Sequence, residues 1–132
     1  MNLSSLKTPL TAVAVAAVAL TLVACGKKGG DDAQVIKIGH VGPTSGAIAH
    51  LGKDNENGAK MAIEELNAAG IKIGDKAVKF ELLAEDDAAD PKQGTAAAQK
   101  LVDAKVQGVI GHLNSGTTIP ASQLYNAAGI PQ

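Results

Sequence analysis

The chain has 132 residues, of which 45% are hydrophobic and 19% are charged, and its 15 glycines complete the composition of an ordinary α/β domain. All 12 basic residues are lysines, so no arginine of this chain can bind a phosphate or carboxylate through two parallel hydrogen bonds. These bases are balanced by 13 acids, and the aromatic residues are one Phe and one Tyr, which argues against nucleic acid as a partner.

Residues 1–24 have the pattern of an export signal. One early cation, Lys7, precedes an apolar stretch that runs from Leu10 to Ala24 and ends in small residues. A retained transmembrane helix is the alternative, but this stretch is shorter than the roughly 20 apolar residues that span a bilayer. The segment is therefore predicted to be a signal peptide.

Cys25 is the only cysteine of the chain and directly follows the predicted signal peptide. Leu22-Val23-Ala24-Cys25 resembles the bacterial lipobox, whose cysteine is lipidated and becomes the new N-terminus after cleavage. A free thiol is the alternative, but it would be a liability on an exported protein. We predict a lipidated Cys25, a flexible tether at 25–34, and a membrane-anchored lipoprotein in the periplasm or cell envelope.

The chain after residue 34 is predicted to fold as strand-helix units. A run rich in β-branched residues at 35–42 predicts the first strand. Gly70 ends a helical pattern whose start lies near 52–57. Residues 72–76 are predicted to be a turn, and the alternation of apolar and polar residues at 78–84 predicts the second strand.

Asp90 and Pro91 predict the start of a second helix, because aspartate caps helices and proline is tolerated at their first position. A third strand is predicted at 106–111, and a third helix is expected from about 118 to 128. Three such units predict a parallel sheet in a three-layer α/β fold, with ligands at the carboxyl ends of the strands. Residues 130–132 would begin a further strand, so 35–132 is expected to be part of a lobe.

The loop at 112–117 combines glycine with hydroxyl side chains before the third helix. Unpaired backbone N–H groups, the positive end of the helix dipole and the Ser115 hydroxyl would together bind a carboxylate or phosphate. Asn114 and Ser115 would be its nearest donors. Pro120 is expected in the first turn of the helix. The alternative interpretation is that Ser115 or Thr117 only caps the helix.

The sequence lacks the residue spacings of the known catalytic and metal-binding motifs. Five residues separate Gly46 from Gly52, where a phosphate-binding loop has four, and no G-x-S-x-G motif surrounds Ser115. The three histidines have no short metal-ligand spacing and are expected in the core or at its rim. The acids at 86–90 are explained by a strand end and a helix cap. The sequence therefore predicts no catalytic residue, no metal and no cofactor.

Three stretches of the chain are "IGHVGPTSGAIAHLGKDNENGAKMAIEELNAAG" at 38–70, "EDDAADPKQ" at 85–93 and "GVIGHLNSGTTIPASQLYNAAGIPQ" at 108–132. Together and in this order they resemble the branched-chain amino-acid-binding proteins, the leucine/isoleucine/valine-type solute receptors of ABC importers. The resemblance implies a type I periplasmic-binding-protein fold, in which two α/β lobes close on a ligand. Residues 35–132 would then be the first part of the N-terminal lobe.

The resemblance also implies which residues bind the ligand. Ser115 matches the family serine that receives the α-carboxylate of the ligand, together with neighbouring backbone amides such as that of Gly116. Leu51 stands where better-known members have a tyrosine against the ligand side chain, and Leu113 and Asn114 would line the same wall.

The resulting hypothesis is a non-enzymatic receptor that binds branched-chain or similar amino acids and delivers them to an ABC permease. One alternative is a sensor lipoprotein of the same fold that reports amides, urea or another small solute to a signalling partner. Another is a lipid-anchored α/β hydrolase or nucleotide-dependent enzyme, against which the failed motif spacings argue.

Overall fold

The structure, a computed structural model, describes residues 33–132. The predicted export signal and Cys25 lie outside these residues. In the described part of the chain, no helix combines the length and the apolar character that crossing a membrane requires. The elements are β1 (Gln34–Gly42), α1 (Ala49–Ala68), β2 (Lys72–Ile73), β3 (Lys76–Asp86), α2 (Pro91–Asp103), β4 (Gly108–Gly111) and α3 (Ser115–Ala128).

The strands form a mostly parallel sheet in the order β2-β3-β1-β4. β1 lies in the middle and pairs in parallel with β3 and with β4, which confirms the α/β fold and the parallel centre of the sheet. The turn predicted at 72–76 is present at Gly74 and Asp75, but the prediction missed the strand residues on either side of it. These residues form a tight hairpin in which β2 pairs antiparallel with the start of β3. Gly74, whose φ is +61°, supplies the backbone conformation that such a turn needs.

The hydrophobic core fills the space between the sheet and the helix pair α2 and α3. Gly39 of β1 keeps this space open, because a Cβ atom there would lie 2.6 Å from Leu101 Cδ1. α1 packs on β1 and β3 and buries Ala59 and Ile63, which lie outside this core, so the sheet carries helices on both faces. The core consists of Val41, Ala97, Ala98, Leu101, Val106, Val109, Ala121 and Tyr125.

Beyond the hairpin, the outer edge of β3 is covered at one point by a side chain. The Asn67 amide group of α1 donates to the Phe80 carbonyl oxygen at 2.9 Å, and its oxygen accepts from the Phe80 N–H at 2.8 Å. At the other edge of the sheet, the Val109 N–H donates to the Pro131 carbonyl oxygen at 2.9 Å. Residues 130–132 thus contact β4 through this bond, but they do not form the strand that the sequence predicts there.

Two helices begin earlier than predicted. α1 starts at Ala49 and not within 52–57, because Ile48 at its N-cap position makes no side-chain hydrogen bond and the sequence offers no cap signal there. α3 also starts earlier, which places Pro120 inside the helix and corrects its prediction as a first-turn residue. The predicted ends of these helices are confirmed, since Gly70 follows α1 and Gly129 ends α3 in the left-handed conformation.

Candidate functional site

Three parallel strands end at one edge of the sheet and bring their exit loops together. The register pairs Gly42 of β1 with Asp86 of β3, and Val41 of β1 with Gly111 of β4. Ligands of parallel sheets bind at this carboxyl edge. The predicted binding residues follow β1 or β4 in the chain, so the fold collects them at that edge.

The first turn of α3 presents unpaired hydrogen-bond donors. The amides of Thr117 and Thr118 both donate to the Asn114 carbonyl oxygen, at 3.0 and 2.9 Å. Among the described residues, the amides of Ser115 and Gly116 have no acceptor, and both residues are exposed. Two backbone N–H groups and one hydroxyl thus lie at the positive end of the helix dipole, an arrangement that can bind a carboxylate or phosphate.

Neither hydroxyl considered as a helix cap occupies the N-cap position. That position belongs to Asn114, whose side chain makes no capping hydrogen bond. Ser115 is the first residue of the helix, and the Thr117 hydroxyl donates to the Asn114 carbonyl oxygen at 2.8 Å. The interpretation of Ser115 or Thr117 as a simple cap is therefore wrong, and the exposed Ser115 hydroxyl remains available to a ligand.

The apolar residues predicted to face a ligand are exposed at the same edge. Leu51 and Leu113 are 43% and 40% exposed, although leucine is usually buried. Nearby, the buried Asn114 Oδ1 has no hydrogen-bond partner within residues 33–132. Leu113 also lines a partly open cavity of about 160 Å³ that the other predicted residues do not reach. The rest of the cavity lining is His40, Val41, Asn55, Ile110, Gly111 and His112.

Asp86 fixes the loop that leads from β1 to α1. Its Oδ1 accepts hydrogen bonds from the amides of Thr44 at 2.8 Å, Ser45 at 3.3 Å and Ala88 at 2.8 Å. Burial raises the pKa of Asp86, but hydrogen bonds from Ser45, Ala88 and Thr44 outweigh burial and hold this pKa below its ordinary value. The carboxylate therefore has a structural role at this strand end, as the sequence predicts.

A buried network links the exits of β3 and β4 to helix α3, and the sequence does not indicate it. His112 Nδ1 lies 2.9 Å from Asp87 Oδ2, and His112 Nε2 lies 3.2 Å from the Tyr125 hydroxyl. All three side chains are buried. A carboxylate accepts only, so Nδ1–H donates to Asp87 and the hydroxyl of Tyr125 donates to Nε2. Burial, with a smaller contribution from the charge of Asp87, raises the pKa of Tyr125 to about 12, so its hydroxyl keeps its proton.

The Asp87–His112 pair has the first two members of a hydrolase triad but not its chemistry. Both ring nitrogens of His112 are engaged, by Asp87 and by Tyr125, so His112 is not available as a base for a serine such as Ser115. Within residues 33–132, no group of three His, Cys, Asp or Glu side chains could hold a metal ion. The donors in the first turn of α3 instead suit recognition of a small anionic group.

The free energy of unfolding is expected to fall as the pH is lowered from about 7 to about 5. Burial lowers the pKa values of His40 and His112 below their ordinary value of 6.5. In this range the two histidines therefore bind more protons in the unfolded chain than in the folded one. Protonation thus favours unfolding, and stability is lost as the pH falls. Each ring contributes at most about 1.4 kcal/mol per pH unit. Urea unfolding at several pH values measures the slope.

The matched variant for this measurement is His40→Leu, which removes one titrating ring and should make the dependence on pH shallower. Asp86 does not interfere, because its pKa lies below 3.8 and its contribution is lost only in more acidic solution. A wild-type unfolding free energy that stays constant between about pH 7 and about pH 5 would contradict the prediction.

Comparison with known proteins shows the family of the chain. Residues 35–132 match the family model described as periplasmic binding protein. The leucine-specific-binding protein of Salmonella typhimurium is 46% identical over 109 residues, which are 83% of this chain and 29% of that protein. The chain thus spans less than a third of the length of this relative.

Solved structures share the fold. A branched-chain amino acid transporter substrate-binding protein from Streptococcus pneumoniae, in complex with isoleucine, matches with a TM-score of 0.67 and 33% identity. The match covers 74% of this chain and 28% of that one. An ABC transporter solute-binding protein from Rhodopseudomonas palustris, in complex with 3,4-dihydroxybenzoic acid, matches with a TM-score of 0.63 and 30% identity, covering 74% and 26% of the two chains.

Proposed function

The chain belongs to the periplasmic binding protein family, and on this premise we propose that its protein is an extracytoplasmic receptor that captures branched-chain or similar amino acids for an ABC importer. The observation that carries the proposal is the first turn of α3. Its Ser115 and Gly116 amides have no acceptor within residues 33–132 and, with the Ser115 hydroxyl, they point to a carboxylate ligand. In this proposal the protein binds its solute and does not transform it.

A shared carboxylate supports this assignment of the turn. Isoleucine and 3,4-dihydroxybenzoic acid, the ligands of the two related structures, differ in size and polarity but both carry a carboxylate. A site made mainly of backbone amides recognises that common group whatever side chain follows it. Urea has no carboxylate, so this turn favours an amino acid over the urea of the sensor hypothesis.

The exposed leucines at the same edge support an aliphatic ligand side chain. Leu51 and Leu113 offer apolar surface without a hydroxyl, so contact with them is favourable for a leucine, isoleucine or valine side chain. Asn114 is the N-cap residue of α3 and directly precedes Ser115, so it belongs to the same turn. We assign Leu51, Leu113, Asn114, Ser115 and Gly116 to the ligand site.

The location of the protein is part of the same proposal. Membership of this family places the protein outside the cytoplasm. The export pattern of residues 1–24 and the lipobox-like sequence ending at Cys25 support a lipid anchor in the membrane, with 25–34 as its tether. A receptor held at the membrane remains close to the permease that it would supply.

Ser115→Ala in the full-length protein is expected to weaken amino-acid binding without unfolding the lobe. Losing one hydrogen bond to a charged carboxylate should raise the dissociation constant for leucine or isoleucine about 10- to 150-fold. Isothermal titration calorimetry measures the affinity, and thermal melting without ligand measures stability, which should stay close to that of the wild type.

Ser122→Ala is the matched control, because Ser122 is an exposed serine of the same helix whose hydroxyl donates to the Ile119 carbonyl oxygen at 2.8 Å. This variant should keep wild-type affinity. If Ser115→Ala also keeps wild-type affinity for every amino acid that the wild type binds, the role assigned to Ser115 is wrong.

A further inference from the structure

We propose that His112 is a positioning residue for ligand binding: through Asp87 and Tyr125 it sets the geometry of the turn that carries Ser115. The inference rests on the proposed function, because it assigns the buried network a role in the affinity of that same turn. It concerns three residues that are buried from solvent and to which the family resemblance assigns no role.

Asp87 provides a fixed base for the network. Its Oδ1 accepts from the Ala89 amide at 3.0 Å, while Oδ2 is left for His112. Both backbone polar groups of Asp87 are also hydrogen-bonded. Its amide donates to the Gly42 carbonyl oxygen at 3.3 Å, and its carbonyl oxygen accepts from the Asp90 amide at 2.8 Å. The carboxylate is 0% exposed, so water does not compete for these bonds.

His112 in turn holds α3 through two separate bonds. Its side chain accepts from the hydroxyl of Tyr125, in the last part of the helix, and its carbonyl oxygen accepts from the Thr118 hydroxyl at 3.2 Å, near the start. Between His112 and the helix only Leu113 and Asn114 remain. With so few free residues between two anchored points, the orientation of His112 determines where the Ser115 hydroxyl and its neighbouring amides lie.

The protonation state of His112 links this geometry to pH. The charged and titratable groups that face the ring are Asp87 from the end of β3 and Tyr125 from α3, and His40 from β1 lines the same cavity. A neutral ring accepts from the Tyr125 hydroxyl, whereas a protonated ring must donate to it and forces that hydroxyl to turn. Affinity should therefore decline in acid together with the neutral form of His112.

Tyr125→Phe in the full-length protein tests the inference, because it removes one hydroxyl and leaves the ring in the core. Losing this hydrogen bond should raise the dissociation constant for leucine or isoleucine at neutral pH, with an upper limit of about 12-fold if its whole energy is lost from binding. The variant should also change how affinity depends on pH, since Nε2 of His112 then has no hydroxyl partner. Calorimetry across the pH range measures both effects.

A double-mutant cycle with Ser115→Ala separates positioning from a purely structural role. If the network acts through the turn, the double variant should weaken binding by less than the product of the two single effects, because a displaced turn uses Ser115 poorly. Tyr125→Phe combined with Ser122→Ala should instead show simple multiplication. Nitrogen-15 NMR of the wild-type ring should show Nδ1 protonated and Nε2 unprotonated at neutral pH.

A lower melting temperature for Tyr125→Phe with wild-type affinity and an unchanged pH profile would overturn the inference alone. Independent, multiplicative effects of Tyr125→Phe and Ser115→Ala would do the same, as would an Nε2-protonated ring. Failure of the wild type to bind leucine, isoleucine or any other amino acid would overturn the proposed function and this inference with it.

Discussion

Gly52→Ala is expected to destabilise the protein by about 3 kcal/mol or more. Gly52 is a buried residue near the start of α1, where the helix lies directly against the exit of β1. A Cβ atom at this position would lie 2.1 Å from the Pro43 carbonyl oxygen, 2.4 Å from its carbon and 2.9 Å from its nitrogen. All three are main-chain atoms, so no flexible side chain can move aside and the helix or the strand end must shift. Urea unfolding of the full-length variant measures the loss.

Gly58→Ala provides a control in the same helix with the opposite expected sign. Nothing lies within 4 Å of a Cβ atom built at Gly58, and the residue is exposed. Alanine there should stabilise the protein by about 0.5 to 1 kcal/mol, because it restricts the unfolded chain and favours the helix. If Gly52→Ala costs less than about 1 kcal/mol, α1 does not approach β1 as closely as described.

Cys25→Ser is expected to abolish lipid attachment completely. The thioether to the lipid requires a thiol at this position, and the chain has no second cysteine that could replace it. Labelled fatty acid should be incorporated into the wild type and not into the variant. Fractionation should show no mature, membrane-anchored form of the variant. Lys27→Gln in the predicted tether is the control and should be labelled like the wild type. Persistent labelling and membrane retention of Cys25→Ser would contradict the lipoprotein proposal.

The sequence predicts best those parts of the fold whose conformation depends on residues adjacent in the chain. Asp90 and Pro91 mark the start of α2, and in the structure Asp90 Oδ1 accepts from the amides of Lys92 and Gln93 at 3.0 and 2.9 Å. Gly129 ends α3 with a φ of +69°, a conformation that other residues adopt at a cost. The start of α1 is predicted wrongly for a local reason as well. Ile48 at its N-cap position has no side chain that could cap the helix, so the sequence does not mark the helix start there.

The network around His112 could not be predicted, because its members meet only after the sheet has formed. Asp87 and His112 follow β3 and β4, which are not neighbours but lie on either side of β1. Nothing in the spacing of the two residues indicates that they meet across an intervening strand. Ser115, in contrast, is a candidate from the sequence alone, because the loop and the helix start that expose it adjoin it in the chain. The sequence therefore indicates candidate residues at the surface of the site but none of the buried side chains beneath them.

The pairing of Asn67 with Phe80 also affects how copies of the protein behave toward one another. A bare strand edge offers alternating N–H and C=O groups to which the same edge of a second molecule can add, and this is a common start of aggregation. By engaging both groups of Phe80, the Asn67 side chain interrupts that row where the β2 hairpin no longer covers it. A side chain of α1 thus helps to keep concentrated molecules of this protein from pairing edge to edge.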